Sequence, residues 1–179
     1  VGAYRAKYLV QDIAELVAAW GGAPLDLLVA HDWGGAVAWS VAAHMPHLLK
    51  QLLIINSPHP ATFLRELKGS PAQQSASSYM NFLCRPDAAT MLRADDYQRL
   101  WRLFTHANSS APGLGETTRA PWLDEATRAR YREVWDRGLE GGLNYYRASP
   151  LKPPVDANSP IHRVVLAPED VTVNVPTTV

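Results

Sequence analysis

Asp32 stands in the run Ala30-His31-Asp32-Trp33-Gly34-Gly35, and the spacing around it is that of a reacting group. Small residues lie two before it and two and three after it. An apolar run precedes it (25–30) and a helix-forming stretch follows (36–47). A chain that turns from strand to helix within one residue holds the turning residue in a strained conformation and pushes its side chain out. Bulky neighbours at those offsets would collide with it. The pattern is a nucleophile elbow with aspartate in the serine place of G-x-S-x-G. The start of the following helix presents unpaired N–H groups and a positive dipole end to the carboxylate. The N–H of Trp33 is placed to face a developing oxyanion. An aspartate nucleophile attacks an electrophilic sp³ carbon and forms an alkyl ester, which water then hydrolyses. The plainer alternative is that Asp32 only caps the helix and Gly34-Gly35 is a turn. The strand before it and the helix after it favour the elbow.

The elements that must position Asp32 follow from periodicity. Leu9, Ile13, Leu16, Val17 and Trp20 repeat on one helical face, and Gly21-Gly22 with Pro24 ends that helix. The unalternating run 25–30 suits a strand covered on both faces, and 52–56 is a second of the same kind. Strand, turn, helix and strand make a βαβ unit with parallel neighbours. After Ser57-Pro58-His59-Pro60 the pattern turns helical. Ser70-Pro71 opens a helix expected through 73–83. Asp95-Asp96 open another, with Tyr97, Leu100, Trp101 and Phe104 as its stripe. The Ser/Gly/Pro-rich stretch 107–118 reads as a loop, 123–137 as a helix, 141–147 as a short helix or turn, and 171–175 as extended.

Two motifs together resemble the epoxide hydrolase branch of the α/β-hydrolase superfamily. His31-Asp32-Trp33-Gly34-Gly35 is similar to that branch's H-D-W-G-G elbow, and Asn144-Tyr145-Tyr146-Arg147 to its cap-domain N-W-Y-R segment. The resemblance implies an α/β fold. Residues 1–58 are then part of the core, 59–163 a helical cap, and 164–179 the return toward the next core strand. It implies that Tyr146 donates its O–H to an epoxide oxygen. A second cap tyrosine is usual in the family. Counting from Pro86, the matched position holds Phe82, which cannot donate, and Tyr79 one turn earlier is the substitute. Trp33, His59 and Phe82 are the expected oxyanion and substrate-binding residues beside the catalytic Asp32, Tyr146 and Tyr79.

The family's order along the chain is nucleophile, acid, histidine. No acid follows the second strand, where Asn56 and Ser57 stand. Glu169 and Asp170 precede the last extended segment, on the wrong side of a strand. His31 points to the other face of its strand, His59 follows the second strand's carboxyl end, and His44, His47, His106 and His162 have no positional argument. The family's H-G-x-P turn is not seen upstream. The chain therefore reads as an internal fragment of a hydrolase. Three functions compete: an epoxide hydrolase, a dehalogenase in which the Trp33 indole holds a halide, and an inactive domain that only binds an apolar ligand. Asn-x-Tyr-Arg favours the epoxide.

Composition bounds the rest. The chain has 179 residues, 47% apolar, with 17 basic and 17 acidic side chains, so nothing marks a nucleic-acid or anionic-membrane partner. Apolar runs fall far short of a membrane span, and no signal-peptide layout opens the chain. Cys84 is the single cysteine, which excludes disulfide frameworks and cysteine-rich zinc sites. A cytoplasmic setting, a small apolar substrate (epoxide or alkyl halide), and no metal or cofactor are expected. No sequence feature bears on oligomeric state.

Overall fold

A computed structural model of the chain describes residues 1–106 and 122–179, with 105 and 106 described by their backbone alone. The expected loop at 107–118 lies outside the described residues. The chain divides into two compact units, one of Val1–Asn81 with Asn144–Val179, the other Phe82–Leu143.

In the first unit, helix α1 (Ala6–Ala19) leads to strand β1 (Leu28–His31), helix α2 (Trp33–His44) and strand β2 (Leu52–Ile55). Helices α3 (Pro60–Gly69), α4 (Pro71–Ala76) and α5 (Tyr79–Leu83) follow. The described strands form one parallel sheet in the order β1, β2, β3, where β3 is Thr177–Thr178 near the chain end. The register pairs Leu28 with Leu52 and His31 with Ile55. β2 and β3 pair from Leu52 with Thr177. The βαβ expectation therefore holds, with parallel neighbours and α2 as the crossover.

Helix α2 lies on one face of the sheet. Ala38, Trp39, Val41 and Ala42 pack with Leu49, Leu52, Ile54, Val10 of α1 and Val175. Val41, Leu52 and Ile54 are essentially sealed from water, and each such side chain contributes about 1.5–3 kcal/mol by burial. The nearly all-round apolar character of α2 agrees with its depth in this core.

Several expectations are corrected. The strand expected at 25–30 begins three residues later. Leu25 makes only a single bridge to Leu49, and Asp26 turns outward to Lys50 at 2.7 Å. The sheet is not covered on both faces by the described residues, since Val29 is 53% and Ile55 43% exposed. The buried face of α1 is Val10 and Val17, while Leu16 and Trp20 are exposed. Apolar residues cover more than one stripe of that helix, and packing against α2 selects the buried one. The helix expected at 73–83 is two, α4 and α5, because Ser77 caps the first. Serines at 75, 77 and 78 compete for backbone groups and favour such a break. The expected extended segment at 171–175 starts late, because Pro168–Val171 is a short helix, α9. Pro168 at its first position and the acids Glu169 and Asp170 favour that turn of helix.

The second unit is built around α6 (Ala88–His106) and α7 (Glu125–Arg137), with the first residues of α8 (Glu140–Ala148). α6 is two helices joined at a kink, where Ala94 is extended and Asp95, Asp96 and Tyr97 are left-handed. This breaks the helix where Asp95-Asp96 were expected to start one. Tyr97, Trp101 and Leu123 form a buried cluster with Phe104, Tyr131 and Trp135 packed against it. Arg132 grips Asp96 through Nε at 2.9 Å and Nη2 at 2.7 Å, and the Trp101 indole donates to the Asp96 carbonyl at 2.7 Å.

Candidate active site

Asp32 leaves β1 and enters α2 with φ 51° and ψ −123°. A left-handed, non-glycine residue costs about 1–3 kcal/mol and persists only where its surroundings enforce it. Here both sides enforce it. The Asp32 N–H donates to the Ile55 carbonyl at 3.3 Å, continuing the sheet, and its own carbonyl accepts from the Ala36 N–H at 3.1 Å, opening the helix. The carboxylate sits over the helix start, where Oδ2 accepts from the Trp33 N–H at 2.6 Å. The carboxylate therefore caps the helix, and the N–H it accepts polarises the carboxyl group.

Gly35 explains the small-residue offset. A Cβ there would lie 2.7 Å from Ser57 Oγ, against the segment that leaves β2. Ser57 is itself held, its carbonyl accepting from the Trp39 indole at 3.2 Å. A Cβ at Gly34, in contrast, would meet nothing within 4 Å.

Asp32 opens on a cavity of about 470 Å³, within the range of small-molecule sites. Trp33, Tyr79 and Tyr146 also line it, with Asn56, Ser57, Phe63, Gln73, Ser77, Met80 and Leu151. Asn56 follows Ile55 on β2 as Asp32 follows His31 on β1, and it too is left-handed, at φ 48°. The cavity thus lies at the carboxyl ends of two parallel strands, where ligands bind in open α/β sheets.

The two tyrosines come together. Their ring centroids are 6.0 Å apart, and Tyr146 packs edge-on to Trp33 at 5.2 Å. Tyr145 leans on the same indole at 5.6 Å and on Tyr4 at 4.9 Å. Trp33 is therefore held between the two tyrosines of α8. Burial pushes the Tyr146 hydroxyl up to about 12, with the Tyr79 hydroxyl and the Asp32 charge acting in the same direction and the Trp33 side chain opposing. Burial and then the Asp32 charge raise Tyr79 as well, and its contact with Tyr146 opposes this. Both hydroxyls consequently carry their protons throughout the neutral range and can donate them.

The remaining expected site residues fall elsewhere. His59 is not a cavity residue. Its Nε2 meets the Val171 carbonyl at 2.8 Å, and its ring stacks edge-on to Trp39 at 5.0 Å. Phe82 packs in the second unit with Ala88, Leu92 and Leu143, with Arg99 5.6 Å above its ring. Both residues belong to α5, Tyr79 within the first unit and Phe82 within the second. Among the described residues, no histidine lines the cavity that holds Asp32. His44 and Asp170 do pair, at 3.4 Å, but at the far end of α2, roughly 16 Å along the axis from Asp32. Among the described residues there is no cluster of three or more potential metal ligands and no helix long and apolar enough to cross a membrane.

Gln73, Ser77 and Met80 are cavity residues that sequence reasoning missed. Their i, i+4, i+7 spacing marks one helical face, although the helix breaks within it. Tyr145 was legible only as part of the cap motif, not as a support for Trp33.

The family model of the alpha/beta hydrolase fold matches residues 2–110. Among curated relatives, mouse "Epoxide hydrolase 4" is 31% identical over 145 residues, covering 80% of this chain and 39% of that protein. "Epoxide hydrolase 1" of Caenorhabditis elegans is 35% identical over 146 residues, covering 80% and 35%. The chain thus spans less than two fifths of the length of these relatives. Among solved structures, an inhibitor complex of the Bacillus megaterium epoxide hydrolase superposes with a TM-score of 0.76 at 26% identity, over 98% of this chain and 57% of that one.

Proposed function

Since the chain belongs to the α/β-hydrolase fold family, we propose that it carries the nucleophile and the acid of an epoxide-opening hydrolase. The observation that carries this reading is the meeting of a strained, helix-capping Asp32 with the protonated hydroxyls of Tyr79 and Tyr146 on one cavity. Relatives whose names are epoxide hydrolases support it.

The chemistry follows from which atoms are already engaged. Asp32 Oδ2 accepts the Trp33 N–H, so Oδ1 is the oxygen that attacks. It forms a C–O bond to one epoxide carbon while that carbon's bond to the ring oxygen breaks. The ring oxygen gains the electron pair and takes the proton of Tyr146, with Tyr79 beside it as the second donor. The product is an alkyl ester on Asp32 carrying a neutral β-hydroxyl. Hydrolysis of this ester restores the carboxylate, and the developing oxyanion on Oδ2 keeps its hydrogen bond to Trp33. Within this reading the helical stretch 59–163 serves as the cap, contributing Tyr79 and Tyr146.

Among the described residues, the cavity holds the groups for ring opening and no histidine base for the water step. Ring opening is therefore the step to test. Incubating the 179-residue chain with styrene oxide and digesting it should show a covalent adduct on the peptide containing Asp32, by mass spectrometry. Asp32→Asn should show none. Absence of any adduct with the native chain, under conditions where styrene oxide binds, would leave a ligand-binding role and sink the enzymatic one.

A further inference from the structure

The cavity has a polar station that ring opening does not use. Gln73 and Ser77 face it from α4 and its cap, on a wall otherwise formed by Phe63, Met80 and Leu151. The Gln73 carboxamide nitrogen donates to Ser77 Oγ at 2.8 Å. Ser77 is 4% exposed, so this bond fixes the carboxamide from its protected side. The Gln73 carboxamide oxygen accepts from no described residue. It is also not buried, since among the described residues no buried side-chain oxygen or nitrogen lacks a partner. Gln73 thus lines the cavity with its carboxamide anchored through the nitrogen and the bonding capacity of its oxygen unused by the described residues. Water satisfies it when the cavity is empty. An apolar occupant strips that water and leaves the acceptor unpaired, which costs binding, whereas an occupant with a donor restores the bond.

We infer that Gln73, anchored by Ser77, is a specificity residue that selects epoxides bearing a hydrogen-bond donor, a hydroxyl or amide N–H, on the substituent remote from the ring. This rests on the reading of Asp32 as the nucleophile of an epoxide-opening site. The reach of the preference is set by the span from Asp32 to Gln73, so it appears at particular substituent lengths and not at all of them.

The experiment compares ω-hydroxy-1,2-epoxyalkanes of four to eight carbons with partners carrying a methyl group in place of the hydroxyl. The 179-residue chain is used throughout, and the rate constant for alkylation of Asp32 is read by mass spectrometry. At one length or more, the native chain should favour the hydroxylated epoxide by about tenfold. Gln73→Leu should abolish that preference while keeping the circular dichroism spectrum, and should do so in part by raising the rate on the methyl partner, which no longer strands an acceptor. Ser77→Ala, which frees the carboxamide to rotate, should weaken the preference severalfold. Binding of the matching unreactive 1,2-diols, followed by tryptophan fluorescence, reads the same contact without chemistry. A hydroxyl preference in diol binding that Gln73→Leu removes, together with no alkylation, supports the anchor and indicts the nucleophile alone. No hydroxyl preference in diol binding at any length, or one that survives Gln73→Leu, overturns the inference. Equal loss on both members of each pair would also overturn it, because Gln73 would then only hold the fold.

Discussion

Replacing Tyr146 by phenylalanine removes one oxygen from the site and leaves the ring that packs edge-on to Trp33 at 5.2 Å. The hydroxyl meets only groups of the cavity itself. It couples to Tyr79, Trp33 and Asp32, all of them lining the same cavity. The variant should therefore fold, with a melting temperature within a few degrees of the native chain. Its effect on chemistry should be large and selective. A positioned general acid contributes about 10²–10⁴ in rate, or roughly 3–5 kcal/mol at 1.36 kcal/mol per decade. Tyr79 lies beside Tyr146 and retains its proton, so it covers part of the loss. The single change should thus cost about 10²-fold on an epoxide, and the double change Tyr79→Phe with Tyr146→Phe should approach 10⁴-fold. An alkyl bromide of equal size is the control, because bromide leaves without a proton. Alkylation of Asp32 by the bromide should change less than about threefold on the same arithmetic. The assay is the single-turnover rate of adduct formation on the Asp32 peptide, with both electrophiles. Equal losses on epoxide and bromide would show that the hydroxyl organises the cavity and does not deliver a proton. No loss on the epoxide would refute the acid role outright.

Three further expectations follow from the same geometry. Gly35→Ala forces a methyl group against Ser57 where α2 meets the end of β2; overpacking of this kind costs about 1–3 kcal/mol, lowering the melting temperature by roughly 2–12 °C for a chain of this size, measured by calorimetry. Tyr146 is raised to about 12 in the folded chain from an ordinary value near 10, and the sign is that of a group kept neutral by folding. Its stabilisation is present below pH 10 and is lost as pH rises through 12, because the unfolded chain releases its proton first; denaturation midpoints of the native chain should fall more steeply over that window than those of Tyr146→Phe. Arg132→Met removes the bidentate hold on Asp96 at the left-handed kink of α6; amide exchange at 94–98 should quicken, while exchange in β1 and β2 stays as it was.

The elbow and the order of core elements were legible in the sequence because their causes are local. Small residues at fixed offsets around Asp32, an apolar run before it and an apolar helix after it are properties of a dozen neighbouring residues. They mark the turn at Asp32, whose positive φ is its realisation, while the contacts that hold it, Ile55 across the sheet and Ser57 against Gly35, come from the next strand. Ser70 at the head of α4 was equally local, since a serine followed by proline needs only its own next turn, and its Oγ accepts from the Gln73 N–H at 3.3 Å.

What the sequence left open were questions of facing and of distance. Periodicity marked several apolar stripes on α1, but only tertiary packing, chiefly against α2, buries Val10 and Val17 and leaves Leu16 and Trp20 exposed. Counting back from Pro86 singled out Phe82 as the matched position. Tyr79 lines the cavity, whereas Phe82, on the same short helix, packs with Ala88 and Leu92 of the second unit. His59 lay at the right end of the right strand, yet the carbonyl of Val171, 112 residues away in the chain, claims its ring. The candidate residues of the proposed ring opening were thus legible in sequence alone. Which of them share a cavity was decided by tertiary structure, because packing partners and hydrogen-bond partners distant in sequence carry no local mark.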